Sequence, residues 1–246
     1  NRQNEYITFI EQLPYVLLEY NKQDVVINID DILLSQDYSL LGSRFPFLAR
    51  NNWGNLWTNK IDYFEYQKVH IKNKYKLLYE SMDYYIGYAE VAISYFEEIK
   101  RTFQQKERML VPSHQRLKKS DTTDKFYNPF SLILDDRARD WAEFLKSFFF
   151  EGYKEEEIVE IISKLPQDTV FLHLLMARLL FPSFYFDIYE KIINDVIKEK
   201  EIYKVLEKNK DYEDFLFLCY KTINQRVNLI KIDFLEKERN DFRRSP

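Results

Sequence analysis

Twenty Phe, 19 Tyr and 3 Trp stand against only 4 Gly in this chain of 246 residues. Glycine is the residue that lets backbones approach closely and turn through left-handed conformations, so few such points are available. Packing must be organised by large rings, which bury the most area per side chain and pair in stacked or edge-to-face geometry. The excess also has a plainer source in the codon bias of an AT-rich genome, so by itself it points to no ligand. The chain is long enough to bury a substantial core, as one large domain or as a small one joined to a larger. With 31% charged and 46% apolar residues it has ordinary globular composition.

A formal net charge of −4 arises from well-mixed acidic and basic residues. No broad positive face is expected, and nucleic acid is not an expected partner. The single cysteine, Cys219, can form no internal disulfide and no cysteine-rich metal site, which fits a reducing, cytoplasmic compartment. The apolar stretch from Phe171 to Phe186 is interrupted by His173, Arg178 and Pro182, so it reads as a buried helix and not as a membrane span. Because the sequence opens at Asn1, with no initiating Met, signal peptide or lipidation motif, it reads as a fragment or processed form.

Tyr6 to Gln12 and Tyr15 to Tyr20 are β-prone runs separated by Leu13 and Pro14, a hairpin signature. Two strands alone are marginal in water, so this hairpin is expected to join a larger sheet. Asp24 to Leu34 suits a strand or a short helix, and Ser35 to Gly54 reads as connector. Helical periodicity, clearest at Leu77, Leu78, Met82, Tyr85, Ile86, Ala89 and Ile93, predicts two long helices from Leu56 to about Phe103. Met109 to Val111 predicts a short strand ending at Pro112, Ser113 to Asn128 a polar loop, and Phe130 to Leu134 a buried strand. Trp141, Phe144, Leu145, Phe148 and Phe149 form the stripe of a helix that Gly152 stops, with Glu143 and Lys146 on its polar face. Further helices are predicted over Glu155 to Leu165, from an Asp168 cap through Leu180, over Phe184 to Lys200 after a break at Pro182, and over Tyr212 to Asn224. The tail from Glu236 is expected to fray. The fold class is therefore α+β, mainly α.

No glycine-rich phosphate loop, HExxH, GxSxG or CxxC motif is present, and His70, His114 and His173 have no second ligand at metal spacing. The most suggestive stretch runs from Met109 to Leu145, where strand, polar loop, strand and helix carry His114, Arg116, Asn128, Asp135, Asp136, Arg137, Arg139 and Asp140. Carboxylates at the end of a buried strand beside a polar loop are what a phosphoryl-transfer site uses to hold Mg²⁺.

Three segments of this sequence, NNWGNLWTNKIDYFE (Asn51 to Glu65), SHQRL with NPFSLILDDRARDWAEFLK (Ser113 to Leu117 and Asn128 to Lys146), and LLMARLLFPSFYFD (Leu174 to Asp187), carry a resemblance. They resemble the spore-coat kinase-like proteins of low-GC Gram-positive bacteria, a divergent branch of the aminoglycoside phosphotransferase and choline kinase superfamily. The resemblance implies a protein-kinase-like fold, with residues 1–34 as the end of the small β lobe and hinge and residues 35–246 as the helical large lobe. It implies that SHQRL stands at the catalytic loop, usually His-Gly-Asp, that Asp135 is the metal-binding Asp, and that Asp140 is the structural Asp of the following helix. His114, Arg116 and Asp121 are then the catalytic-loop candidates, and Asn128, Asp135 and Asp136 the cofactor-binding ones, with ATP and Mg²⁺ as the implied cofactors.

Against the active pattern, Arg116 occupies the position of the catalytic Asp, and Asn128 lies farther from the loop than the usual Asn. A cation cannot orient a substrate hydroxyl as a carboxylate does, although Asp121 or Asp124 could substitute from the same loop. The small-lobe Lys that contacts phosphates is not visible. The function expected is therefore a kinase-like protein with a degenerate site, serving in binding or assembly with a nucleotide, a small molecule or other coat-like proteins, in the cytoplasm or with the spore. An active small-molecule phosphotransferase and a helical interaction protein without a nucleotide site are the alternatives.

Plainer roles stand beside these. His114 can satisfy backbone groups, and Asp140 can cap the helix at Trp141 while Arg137 and Arg139 pair with Asp135 and Asp136. His173 and Arg178 read as a satisfied buried polar pair, with a carboxylate partner expected for Arg178. Trp53 and Trp57, four apart, read as packing on the core from one helix face.

Overall fold

The computed structural model describes residues 5–10, 13–18, 25–36, 49–103 and 110–236. Strands β1 (Glu5–Ile10) and β2 (Leu13–Leu18) pair antiparallel, from Glu5 opposite Leu18 to Ile10 opposite Leu13. The expected hairpin is present, but Leu13 and Pro14 belong to its second strand and do not separate the two. A two-stranded ribbon has only edge strands, where the N–H that proline lacks can face away from the partner.

Helix α1 (Ile29–Gln36) settles the strand-or-helix ambiguity and extends two residues into the stretch read as connector. Asn28 Oδ1 accepts the N–H groups of Asp30 and Asp31 at 2.7 and 3.2 Å, while Asp31 Oδ2 accepts from Asn28 N at 2.8 Å. This reciprocal arrangement satisfies amides that a helix start leaves without partners. Residues 37–48 of the connector lie outside the described residues.

The two long helices are α2 (Trp53–Ile71) and α3 (Lys76–Phe103), packed against each other. Helix α5 (Ala138–Glu151) and α3 both pack on α7 (Thr169–Leu180). Every α7 residue from Phe171 to Leu180 is buried, as expected for a helix that is apolar all round. Its start is the predicted one, with Asp168 Oδ1 accepting from Phe171 N at 2.9 Å. Pro182 separates α7 from α8 (Ser183–Ile193).

Stacked rings fasten this α7–α8 joint to the long helices. Trp57 and Phe181 lie 4.5 Å apart, Phe64 and Phe186 4.5 Å, and Tyr85 and Tyr185 3.7 Å between centroids. Trp53 and Trp57 stack at 5.4 Å and are both buried, so they pack inward as expected. The aromatic excess is thus spent largely on helix-to-helix contact. Thr169–Ile193 is long and apolar enough by length and composition to cross a membrane, contrary to the expectation that no run reaches that length. Even so, 83% of its most apolar window is buried inside the fold.

Helix α8 ends seven residues before the predicted Lys200. Asp195 takes φ +56°, a left-handed conformation that Asp tolerates, and the chain folds back so that Val196 N donates to Lys191 O at 2.8 Å. Around this body lie a one-turn α4 (Thr123–Phe126), α6 (Glu155–Lys164), a one-turn α9 (Tyr203–Leu206) and α10 (Asn209–Asn224), which packs on α6 and α7.

Two strand boundaries differ from expectation. Strand β3 is Val111–His114, so it begins where the predicted strand ends and contains Pro112; Met109 lies outside the described residues. Strand β4 is Leu132–Asp135, and Phe130 is 97% exposed in a 3-10 turn over Pro129–Ser131. Asn128 causes this turn, because its Oδ1 and its carbonyl accept the N–H groups of Phe130 and Ser131 at 3.0 and 3.1 Å.

Gly152 ends α5 at φ +96°, ψ +136°, with open space where a Cβ would stand. Gly152→Ala therefore meets no clash, and its cost is backbone strain alone. A loss of about 1–2 kcal/mol is expected in a denaturant titration, and an unchanged midpoint would show that the turn relaxes freely.

Candidate functional site

Strands β3 and β4 run antiparallel with Val111 opposite Asp135 and His114 opposite Leu132. Ala49 bridges the other side of β4 at Leu134, where Arg50 N donates to Leu134 O at 2.8 Å. That contact delivers the start of α2, and Trp53 Nε1 donates to Asp135 Oδ1 at 2.8 Å. The strand, the loop after β3 and the first turn of α5 therefore meet at one point.

Three side chains from α5 and its approach hold that point together. Asp136 Oδ1 accepts from Ala138 N at 2.9 Å and so caps the helix. Arg139 donates to Asp135 Oδ2 at 2.6 Å, to His114 O at 2.8 Å and to Gln115 O at 3.2 Å, clamping both strand ends. The expected pairing of Arg139 with Asp135 is present. Asp140 is not a cap. It lies within the first turn of α5, fully buried, and accepts from His114 N and from the His114 ring at Nδ1, both at 2.8 Å.

The second ring nitrogen of His114, Nε2, faces the Phe126 carbonyl at 2.7 Å, and the ring stacks on Phe126 at 4.4 Å. Both nitrogens thus face acceptors, and only an imidazolium can donate from both. Burial pushes the His114 pKa down, but Asp140 and the Phe126 carbonyl outweigh it and the net shift is upward. With 5% exposure, His114 ties β3, α4 and α5 together and does not face solvent.

Asp135 is fully buried. One oxygen accepts from Trp53 Nε1 and from Asp136 N at 2.7 Å, and the other from Arg139. Burial raises its pKa, with Arg139 and Arg178 working against that rise. Asp121 Oδ2 accepts from Lys118 N at 3.0 Å and Oδ1 from Lys125 Nζ at 2.6 Å. Asn128 serves the turn before β4. Of the expected site residues, His114 and Asp135 are joined through Arg139, whereas Asp121 and Asn128 are bonded to their own local segments.

Arg116 leads elsewhere. Its guanidinium pairs bidentately with Asp187 of α8, at 2.5 Å from Nε and 2.7 Å from Nη2, and Glu143 stands 3.7 Å from Nε. Glu143 and Lys146, on the polar face of α5, are nevertheless buried, at 5% and 4% exposure. The reason is that α7 and its joint with α8 pack over this face of α5. Glu143 forms an ion pair with Arg178 at 3.3 Å, the carboxylate partner expected for that arginine, and Lys146 donates to Phe181 O at 2.9 Å and to Ser183 Oγ at 3.1 Å. His173 is not its companion, since its ring bonds to Thr169 O and Ile230 N.

Burial opposes ionisation of Glu143, but Lys146, Arg116 and Arg178 outweigh it and hold the carboxyl at about 2. Lys146 is pushed down to about 7 by burial, against the pull of Glu143 and with the repulsion of Arg178 and Arg116. Lys146 contributes most to holding Glu143 ionised, and Arg116 and Arg178 add to it. Burial likewise lowers Arg178, to about 10. A cleft of about 760 Å³ opens beside this cluster, lined by the loop at Arg116 and by α5, α8 and α9.

Glu143, Lys146 and Asp187 were not singled out by sequence reasoning. The available signal was Arg178 in an otherwise apolar helix, which demands a buried carboxylate nearby.

Comparison with known proteins bears on this arrangement. A family model described as "Spore coat putative kinase YutH" matches residues 35–218, which include β3, β4, the Arg139 clamp and the cleft. The Endospore coat-associated protein YutH of Bacillus subtilis (strain 168) is 27% identical over 212 residues, covering 76% of this chain and 62% of the relative. The chain thus spans less than two thirds of that protein's length. No solved structure matches. By the family match over most of its length, the chain belongs to the family described as Spore coat putative kinase YutH.

Proposed function

We propose that this protein is a kinase-like component of the spore coat whose phosphotransfer centre is degenerate, and that it works by binding or assembly with coat proteins. The observation that carries this reading is the pairing of Arg116, at the catalytic-loop position, with Asp187 in bidentate geometry. A carboxylate held that way is a poor general base for a substrate hydroxyl. Asp135 supports the same reading, because a fully buried carboxylate already bonded to Trp53, Asp136 and Arg139 does not fit Mg²⁺, which keeps several of its waters. The coat role rests on the name of the Bacillus subtilis relative.

An active small-molecule phosphotransferase is the second reading. It draws on Asp187 alone, whose side chain is 30% exposed at the cleft and is the carboxylate nearest the catalytic-loop position. Mg-ATP separates the two. A nucleotide site filled at a hundred times its Kd would add about 2.7 kcal/mol of stability, a melting shift of several degrees. The degenerate reading expects a shift below about 1 °C and no phosphate transfer to hydroxyl compounds. Saturable stabilisation together with transfer would overturn it.

A further inference from the structure

We propose that the cleft beside Arg116 binds a small organic anion, an apolar body carrying one phosphate or carboxylate head. This goes beyond the reading of the phosphotransfer centre, and it stands whether or not the protein transfers phosphate.

Size and lining come first. At about 760 Å³ the cleft lies within the range of about 300–1,000 Å³ typical of small-molecule pockets. Its apolar wall is built from Leu117, Phe150, Phe184, Ile188 and Val205. Lys118 and Lys191 stand at its exposed rim, and neither ammonium has a carboxylate partner among the described residues. Of the lining carboxylates, Glu143 and Asp187 are held by arginines, while Glu151, which accepts from the neutral Ser120 Oγ at 3.1 Å, and Glu207 remain as opposing charges at the mouth.

Charge balance points the same way. Arg116, Arg139, Arg178 and Lys146 face Asp135, Glu143 and Asp187 in one cluster; Glu190, the other carboxylate acting on Arg116, is paired to Lys60 at 2.8 Å. Four cations meet three carboxylates, so the cluster is neutral only when Lys146 gives up its proton. With Lys146 protonated the cluster is one negative charge short. An anion seated at the inner end of the cleft would supply that charge and let Lys146 keep its proton. Binding is therefore coupled to proton uptake wherever free Lys146 is neutral, which is above about 7.

Anilinonaphthalene sulfonate is a suitable probe, because it joins an apolar body to an anionic head that does not titrate in this range. Its fluorescence with the whole protein should saturate as a single site. Phenyl phosphate and phenylacetate should displace it, their relative strength telling which head the cleft prefers, whereas phenethylamine should not. Affinity should fall roughly tenfold between about pH 6.5 and about pH 8.5, and Lys146→Met should flatten that profile. Lys118→Glu combined with Lys191→Glu should weaken binding roughly tenfold. Lys76→Glu, an 81% exposed position on α3, should not. Cooperative melting of each variant checks that it is folded. Equal displacement by phenethylamine, an unaltered affinity in the double variant, or displacement by Mg-ATP as strong as by phenyl phosphate would overturn the proposal. Phosphate transfer from Mg-ATP, by contrast, would sink only the degenerate-centre reading.

Discussion

Glu143→Ala is expected to lower folding stability by about 3–5 kcal/mol, because it leaves Arg178 charged, buried and without its carboxylate. Glu143 is 5% exposed and stands 3.3 Å from Arg178 and 3.8 Å from Lys146. Lys146 can escape the penalty by deprotonating, but an arginine cannot do so near neutral pH. Urea titrations of the wild type and the variant measure the loss, and one below about 1 kcal/mol would mean that water reaches the cluster. Adding Arg178→Met to Glu143→Leu should recover most of the loss, since a buried ion pair can often be replaced by apolar groups of similar volume. The pH dependence has a definite sign. Glu143 is depressed in the folded state to about 2, so its contribution is present above the unfolded carboxyl value of about 4.3 and is lost as pH falls toward 2. Glu143→Gln should remove that acid limb.

Asp140→Ala should be comparably damaging, at about 3–5 kcal/mol, since it strips two partners from His114 at once. The backbone N–H of His114 would be left buried without an acceptor, and the imidazolium would lose the carboxylate 2.8 Å from Nδ1. The folded pKa of His114 is raised, so this stabilisation is fully present below the unfolded value of about 6.5 and is lost as pH rises through the folded value. Asp140→Asn keeps the shape and removes the charge. It should cost less than Ala and abolish the His114 titration seen by NMR; a histidine that still titrates above its ordinary value would refute the pair as the cause.

Local pattern made much of the helical body legible. The periodicity from Leu77 to Ile93 appears as α3, Asp168 caps α7, Gly152 ends α5, and Pro182 separates α7 from α8. Each depends on neighbours within a turn or two, where propensity and capping decide. The boundaries that differ are set by a side-chain turn in one case and by a distant partner in the other. Phe130 looks like strand until Asn128 bends the chain ahead of it, and the helix after Pro182 looks longer until Asp195 turns left-handed and bonds Tyr75 Oη at 3.0 Å.

The site divides along the same line. Sequence brought His114, Asp135, Asp140 and Arg116 into view through their order along the chain. It anticipated a pairing of Arg139 with Asp135, but it could not show that Trp53 would close over Asp135 or that Arg116 would reach Asp187, because these partners lie 82 and 71 residues apart. Glu143 and Lys146 make the clearest case. On an isolated α5 they form a polar face, and charge favours water. Once α7 packs over that face, Arg178 and Ser183 replace the water and the same residues become the charged wall of a cleft. By itself the sequence determined a mainly helical chain packed through aromatic rings, with one polar segment between two short strands. Only tertiary structure decided which of its charges are buried and against what, because desolvation depends on the second surface that covers a residue.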